Sequence, residues 1–542
     1  MSAGLPGTFQ FLTKTENEAA VDVLVAGLDS PHKAVRDRAL RSLLARTSPR
    51  GHQEIFRRLP NLERRYRAII SERPERLARA ARAALVTMDE AACPLALEGI
   101  VSFRLYDTMP ALVALVKDKA GVNFKLAAQT VLSLTELFYL ELSDPEKPLK
   151  GSDAENVRRR ITAALEEAVG RTDACVSAEV IEAFLLLVRP QNVTLRRILR
   201  DPKARNLPAL VDVLSSSSRG GVMRLLLGFL EDQRLPRAIK EVIADRADVK
   251  FAENLLETTG SRPSRSVAAT LARFDSFVWA KPNHPLLREL DSAAQFNAVQ
   301  LLMATSMNRD ALFEILKFLL LEGKPGGRQA AAQRLAEFAG AEADALAAQA
   351  LGDEDPGVQA QIIPQMRSRG IPGAMSRLIR MVDSPHEEVR VALREALPEF
   401  TYRQFAANLE SLPEDLLATS GQLVRRIDVD VRPNLTEDME SPSRLWRRRA
   451  VSAAGAMGLV PELEPLVIQR LSDEDHMVRL AAAKALSECE TMPSWEALRD
   501  ALLDRSAIVQ EAAEQSLMRI SQSLQLEAEE SAEETAEEEM AS

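Results

Sequence analysis

The 542-residue chain has only three cysteines, and Cys93, Cys175 and Cys489 form no close pair. That excludes a disulfide framework and a zinc site of Cys-x-x-Cys type. It fits a reducing compartment. Cys175 and Cys489 lie in helical sequence with no histidine nearby, so they read as small buried hydrophobes rather than nucleophiles. Aromatic residues are scarce too, at 4%. Alanine and leucine are abundant instead, which suits helices packed closely through small side chains. Long apolar runs are missing: runs such as 183–188 and 318–321 are far too short to span a bilayer. The first ten residues place no basic residue ahead of an apolar core, so no signal peptide is expected. There is no His-x-x-x-His, and no glycine-rich phosphate loop. Gly323-Lys-Pro-Gly-Gly-Arg328 lacks the closing Gly-Lys-Ser/Thr and reads as a turn between units. A cytoplasmic protein without cofactor or metal is the expectation.

What the chain does have is an octapeptide that occurs twice, Asp29-Ser-Pro-His-Lys-Ala-Val-Arg36 and Asp383-Ser-Pro-His-Glu-Glu-Val-Arg390. With the valine as origin, apolar residues recur seven before, four after and eight after. The sets are Leu28/Val35/Ala39/Leu43, Leu351/Val358/Ile362/Met366, Val382/Val389/Leu393/Leu397, Leu471/Val478/Ala482/Leu486 and Leu502/Val509/Ala513/Leu517. Offsets of four and eight form one stripe of an α-helix. The residue at minus seven ends a preceding helix. Asp355-Pro356, Ser384-Pro385 and Ser30-Pro31 each place a capping oxygen before a proline suited to the first helical turn. Ser384 with Glu387 has capping-box spacing. Each unit is therefore helix, tight turn, helix.

The period is 31: that many residues separate Val358 from Val389 and Val478 from Val509. Gly327, with Ala331 and Leu335, stands one period before Val358. Weaker units fit Leu77/Ala81/Leu85, Phe124/Ala128/Leu132 and Trp446/Ala450/Ala454. So short a helix pair cannot bury its stripe alone and must stack on its neighbours.

The pattern apolar-x-Asp-x-Asp-Pro-x-Val-Arg-x-x-Ala-x-x-x-Leu, as in Leu351-Gly-Asp-Glu-Asp-Pro-Gly-Val358 and Leu471 through Leu486, resembles the short HEAT-like repeat, the type also found in phycobilin lyases. Gln359 replaces the arginine in the former. The resemblance holds over about 20–45, 327–397 and 445–520, and is weak from about 140 to 300. It implies an all-α fold, a right-handed α-solenoid of HEAT-like helix-pair repeats. A ~31-residue period allows roughly fourteen to seventeen pairs. It implies no activity, because unrelated functions share these repeats.

The organisation expected from the sequence is a flexible leader over 1–16, then N-terminal repeats over 17–142. A turn at 143–153 leads into irregular helical repeats over 154–305, where the valine frame is lost. Regular repeats return over 306–526, with a loop at 428–443. An acidic, disordered tail over 527–542 follows. Net charge is −10, distributed unevenly. From His32 to Arg82 there are fifteen Lys/Arg against five Asp/Glu, and from Glu527 to Glu539 eight glutamates and no base.

Four groups of residues are site candidates. The recurring Asp29, Arg36, Asp383, Arg390, Asp473 and Arg479 suggest an Arg–Asp ladder joining adjacent turns, or else a row of ligand-binding charges. Arg57, Arg58, Arg64, Arg65, Arg67, Arg73 and Arg76, continued by Arg79 and Arg82, are the candidate partner-binding block. The alternative for that block is a solvated face paired with acidic residues of later repeats. His32 and His386 share a turn position three before the valine, and His476 stands two before its valine, but helices stacked about 8–10 Å apart keep His386 and His476 from sharing a metal. Phe274, Phe277 and Trp279 are read as core, with an exposed partner anchor as the alternative.

The expected function is a non-enzymatic scaffold binding a protein or peptide along the concave face. One alternative is a nucleic-acid-associated or acidic-partner-binding protein using the 57–82 arginines. HEAT-like DNA glycosylases exist, so the resemblance permits it, while the −10 charge opposes it. The other is a lyase-like enzyme or enzyme subunit, for which no acid/base or nucleophile constellation is found. The tail's opposite charge suggests a lid over the arginine block.

Overall fold

The structure is a computed structural model, and it describes residues 4–46, 48–61, 63–87, 92–117, 121–144, 154–171 and 176–522. Among these residues every regular element is helical and no strand occurs. No helix among the described residues is long and apolar enough to cross a membrane. The chain falls into two compact units, Met1–Phe318 and Leu319–Ser542. Cys175, most of the turn at 143–153 and the acidic tail lie outside the described residues.

In the second unit the stripe is the core. Ala331 and Leu335, Val358, Ile362 and Met366, Val389, Leu393 and Leu397, and Val478, Ala482 and Leu486 are all buried. They lie along the helices Pro325–Leu335, Pro356–Ser368, Glu387–Ala396 and His476–Ala485 or the turns that close them. Two of these helices, those at 356 and 476, start where a side chain satisfies free N–H groups of the first turn. Asp355 accepts from the N–H groups of Gly357 and Val358 at 2.8 and 3.3 Å, with Pro356 leading the helix. Asp475 accepts from Met477 N–H at 2.8 Å.

The two octapeptides start differently from the sequence expectation. Their helices begin at Lys33 and Glu387, one residue beyond histidine N-caps. Ser30 and Ser384 instead bond the His32 and His386 N–H groups at 3.2 and 3.3 Å. The prolines therefore stand before the helix rather than in its first turn, and no capping box forms. Glu387 faces Arg390 and Arg394.

Three further expectations are corrected. Residues Gly4–Lys14 form a helix, though none of its residues is buried. The supposed loop at 428–443 contains the helix Val431–Met439, and its Leu435 and Met439 are fully buried. The two prolines misled here: Pro433 occupies the first turn, where its missing N–H is harmless. The glycines at 326 and 327 open the helix Pro325–Leu335, so the turn stops at Lys324.

In the first unit the stripe is looser. Ala39 and Leu43 are buried, but Val35 and Leu28 are only half-buried. Leu77, Ala81 and Leu85 form a buried row on the helix Glu75–Thr87. The frame is lost near 272–284 because the backbone there leaves the helical state. Phe274, Phe277 and Trp279 lie in this non-helical run and are fully buried; Phe274 and Phe277 stack at 5.1 Å. The run is pinned by Val278 N–H to the Ala244 carbonyl and by Ser306 N–H and hydroxyl to the Phe274 carbonyl, each at 2.9 Å. The aromatics fill space where a packing helix is replaced.

Candidate interaction surfaces and the arginine network

The arginine that follows the valine performs a fixed task. In the second unit Arg479 grips Asp504 in bidentate fashion at 2.8 and 3.0 Å, while its third nitrogen bonds the carbonyl of Asp473 at 2.8 Å. One unit earlier, Arg447 grips Asp473 at 2.8 and 2.9 Å and bonds the Ser441 carbonyl at 2.9 Å. Arg328 reaches Asp353 through Nε alone, at 3.1 Å, places Nη2 on Glu354 at 3.1 Å, and closes its turn on the Gly323 carbonyl at 3.2 Å. Each guanidinium thus closes its own turn and joins it to the next. Planar two-point pairing of this kind is geometrically specific. The hydrogen bond from Arg479 holds the Asp504 carboxyl below its ordinary range. Where glutamine replaces arginine, only the closure of the turn survives: Gln359 and Gln510 bond the carbonyls of Asp353 and Asp504 at 2.7 and 2.6 Å.

Asp473 and Arg479 therefore belong to this network, but Asp29 and Asp383 do not. The ladder aspartates Asp353, Asp473 and Asp504 stand five residues before their valine. Asp29 and Asp383 stand six before, on a different side of the turn. They pair with Arg58, at 2.9 Å, and Arg426. Arg36 and Arg390 close their own turns, at 2.8 and 2.7 Å. Arg36 then bonds the Tyr66 hydroxyl at 2.9 Å, and Arg390 the nearby Glu387.

A second set of arginines was not foreseen. Each reaches about one unit along the chain to bond the carbonyls that end a helix, where the backbone lacks partners and carries partial negative charge. Arg46 bonds the carbonyls of Leu12 and Thr15, both at 2.6 Å. Arg246 bonds those of Leu214 and Ser217 at 2.9 and 3.0 Å. Arg369 reaches Phe338 at 3.0 Å, Arg367 reaches Ala396 at 2.9 Å, Arg425 reaches Gly458 at 2.9 Å and Arg470 reaches Met439 at 3.0 Å. The only sequence signal is an arginine roughly one period from a helix end.

The arginine block divides into two. Arg57 and Arg58 pair with Glu54 at 2.5 and 2.7 Å, and Arg58 also with Asp29. Arg65 pairs with Asp37, and Arg67 lies 3.8 Å from Glu98 while bonding the Leu59 carbonyl at 3.0 Å. Arg76 is half-buried near His52. Arg64, Arg73, Arg79 and Arg82 are exposed and have no carboxylate partner among the described residues. The partners of the first group lie mostly in the same or the preceding unit, not in later repeats as the sequence suggested; Glu98 is the exception.

His52 is buried with its Nε2 3.1 Å from the Leu43 carbonyl, and burial pushes its pKa below the ordinary value. His32 and His386 are exposed N-cap residues, and His476 opens its helix. Among the described residues no three His, Cys, Asp or Glu side chains are grouped to hold a metal ion. Cys93 and Cys489 are buried, and burial pushes the Cys489 thiol up to about 11.

A sequence profile of HEAT repeats matches residues 432–518. No curated protein matches the chain. Among solved structures, an engineered protein is 16% identical, with 92% of this chain and 98% of that chain covered and a TM-score of 0.18. Kap95p, solved with RanGDP, is 14% identical over 96% of this chain and 85% of that chain, at a TM-score of 0.26. Kap121p bound to RanGTP is 13% identical over 95% of this chain, which spans only 66% of that chain, at a TM-score of 0.25. Similarity at this level says nothing about what the present chain binds.

Proposed function

We propose that this chain, a HEAT-like repeat protein, is a non-enzymatic scaffold that binds a protein or peptide partner along the concave face expected of such a stack. The observation that carries the reading is the arginine network. It joins turn to turn and helix end to helix end, as at Arg447–Asp473 and Arg46–Leu12, and so holds the surface within each unit in one shape. A surface fixed in advance binds through many shallow contacts without the entropic cost of ordering itself. The nine arginines of the 57–82 block narrow to a smaller set. Arg57, Arg58, Arg65 and Arg67 already have protein partners, whereas Arg64, Arg73, Arg79 and Arg82 are open to an acidic segment of a partner.

The test is a tagged pull-down from native cytosol at low and high salt, with and without nuclease. A stoichiometric protein that survives nuclease is the expected result. Recovery of nucleic acid, lost at high salt and in the Arg64→Ala/Arg73→Ala/Arg79→Ala variant, would overturn the reading in favour of phosphate binding.

A further inference from the structure

In the second unit, the positions seven before and eight after the valine are covered by stacking in the repeats before Val509, except that Leu471 is half-buried. Leu351 and Val382 at the first position, and Leu335, Met366, Leu397 and Leu486 at the second, are all buried. The repeat of Val509 breaks this rule. Its Leu502 is 36% exposed, and Leu517 is only half-buried. Both line an open groove of about 380 Å³ together with Trp495, Glu514 and Met518, the last 56% exposed. The groove runs between the helix Met492–Ala501 and the helix over 507–522. Leu503 in the connection is 88% exposed, and Ile508 in the first turn is exposed as well. No described residue covers this surface, although its residue types and spacing are those that receive a helix elsewhere in the unit.

Charge narrows what would fit. The groove's lining ends at Gln522, and the run of eight glutamates begins at Glu527. Five residues span at most about 18 Å. Whatever its conformation, the start of the run is tethered that close to the groove. Eight carboxylates within a short stretch raise the local concentration of cationic ligands and speed their capture. We infer that the groove between Met492–Ala501 and 507–522 binds an amphipathic helix of a partner protein, apolar on the buried face and rich in lysine or arginine on the other. The inference rests on the scaffold reading and gives it a second surface, distinct from the arginine patch.

The probe is a synthetic helical peptide with leucines on one face and lysines on the other. Its controls are a scrambled peptide of the same composition and an otherwise identical peptide with glutamates for lysines. Binding to the full chain is followed by fluorescence anisotropy. One lysine peptide should bind per chain. The neutral double variant Leu502→Gln/Met518→Gln, both sites being exposed, should weaken it roughly tenfold without altering the circular dichroism. Removing 527–542 should weaken it by a similar factor at low salt and leave it unchanged at high salt. Equal binding of the scrambled peptide, or tighter binding after removal of 527–542, would overturn the inference; the latter would make the chain's own segment the occupant. If both altered chains still capture a protein partner while the peptide fails to bind, the groove assignment falls and the scaffold stands. Absence of any stoichiometric partner is the separate failure of the scaffold reading.

Discussion

The N-terminal arginine block and the C-terminal repeats use the same side chain in opposite ways. Over 57–82 Arg57, Arg58, Arg65 and Arg67 meet carboxylates near the surface, where Arg58 and Asp29 retain 28% and 63% of their side-chain exposure, and Arg64, Arg73, Arg79 and Arg82 are exposed without such a partner among the described residues. At 447 and 479 a single arginine per unit is buried, and its aspartate with it: the Arg447 and Asp473 side chains are 8% and 3% exposed. Density of charge is therefore a poor guide to its importance. The residues counted most easily in the sequence are held loosely, and those that recur once per period are held inside the joints. Solvent weakens an exposed pair, whereas a buried one, once broken, leaves an unpaired charge out of water.

The comparison can be broken most sharply at the buried joint. Arg447→Met should lower the stability of the second unit by about 3–5 kcal/mol, seen as an earlier urea midpoint, because Asp473 remains buried without its partner. Next in size, Leu435→Ala should cost about 2–5 kcal/mol, since this residue of the helix Val431–Met439 is fully buried. A surface loop at 428–443 would instead leave the midpoint almost unmoved. Arg58→Ala, in the exposed block, should change stability by only about 0.2–1 kcal/mol, an effect that added salt erases.

Acid sharpens the contrast from the other side. Burial depresses the pKa of His52 from its ordinary 6.5, with the Arg76 charge acting in the same direction. The unfolded chain therefore takes up the proton first. The stability from a neutral His52 is complete above pH 6.5 and declines as the pH falls toward the folded-state pKa. Hydrogen exchange in the helix Pro49–Arg57 should accelerate across that window, and His52→Gln should remove the pH dependence. Asp504, held below its ordinary 3.8 by Arg479, gives the second unit a similar loss only at pH below 3.8.

Much of this was legible in the sequence, and what escaped did so for physical reasons. The valine stripe predicted the helices and most of the core, because a period of four and eight leaves few other folds. The ladder was legible in kind but not in register. Asp29 and Asp383 look equivalent to Asp473 until the turn is built, and one residue's difference turns the carboxylate to another partner. The arginines that cap distant helix ends, such as Arg246 on Leu214, carry no motif, because their acceptors are backbone carbonyls that any residue supplies. Prolines at 433 and 442 suggested a loop, yet one sits in the first turn of a helix, where proline is at home. The aromatic stretch at 274–279 was correctly placed in the core, but its non-helical backbone was not legible, since burial alone does not decide conformation.

The central claim is that arginine in this chain joins units before it does anything else. A double-mutant cycle on Arg447→Met and Asp473→Leu tests it most directly, with unfolding free energies measured for both single variants and the pair. Strong coupling is predicted: each single variant should be destabilised by about 3–5 kcal/mol, and the pair should lose far less than the sum. Additive losses, or single variants within about 0.5 kcal/mol of the original chain, would contradict the account.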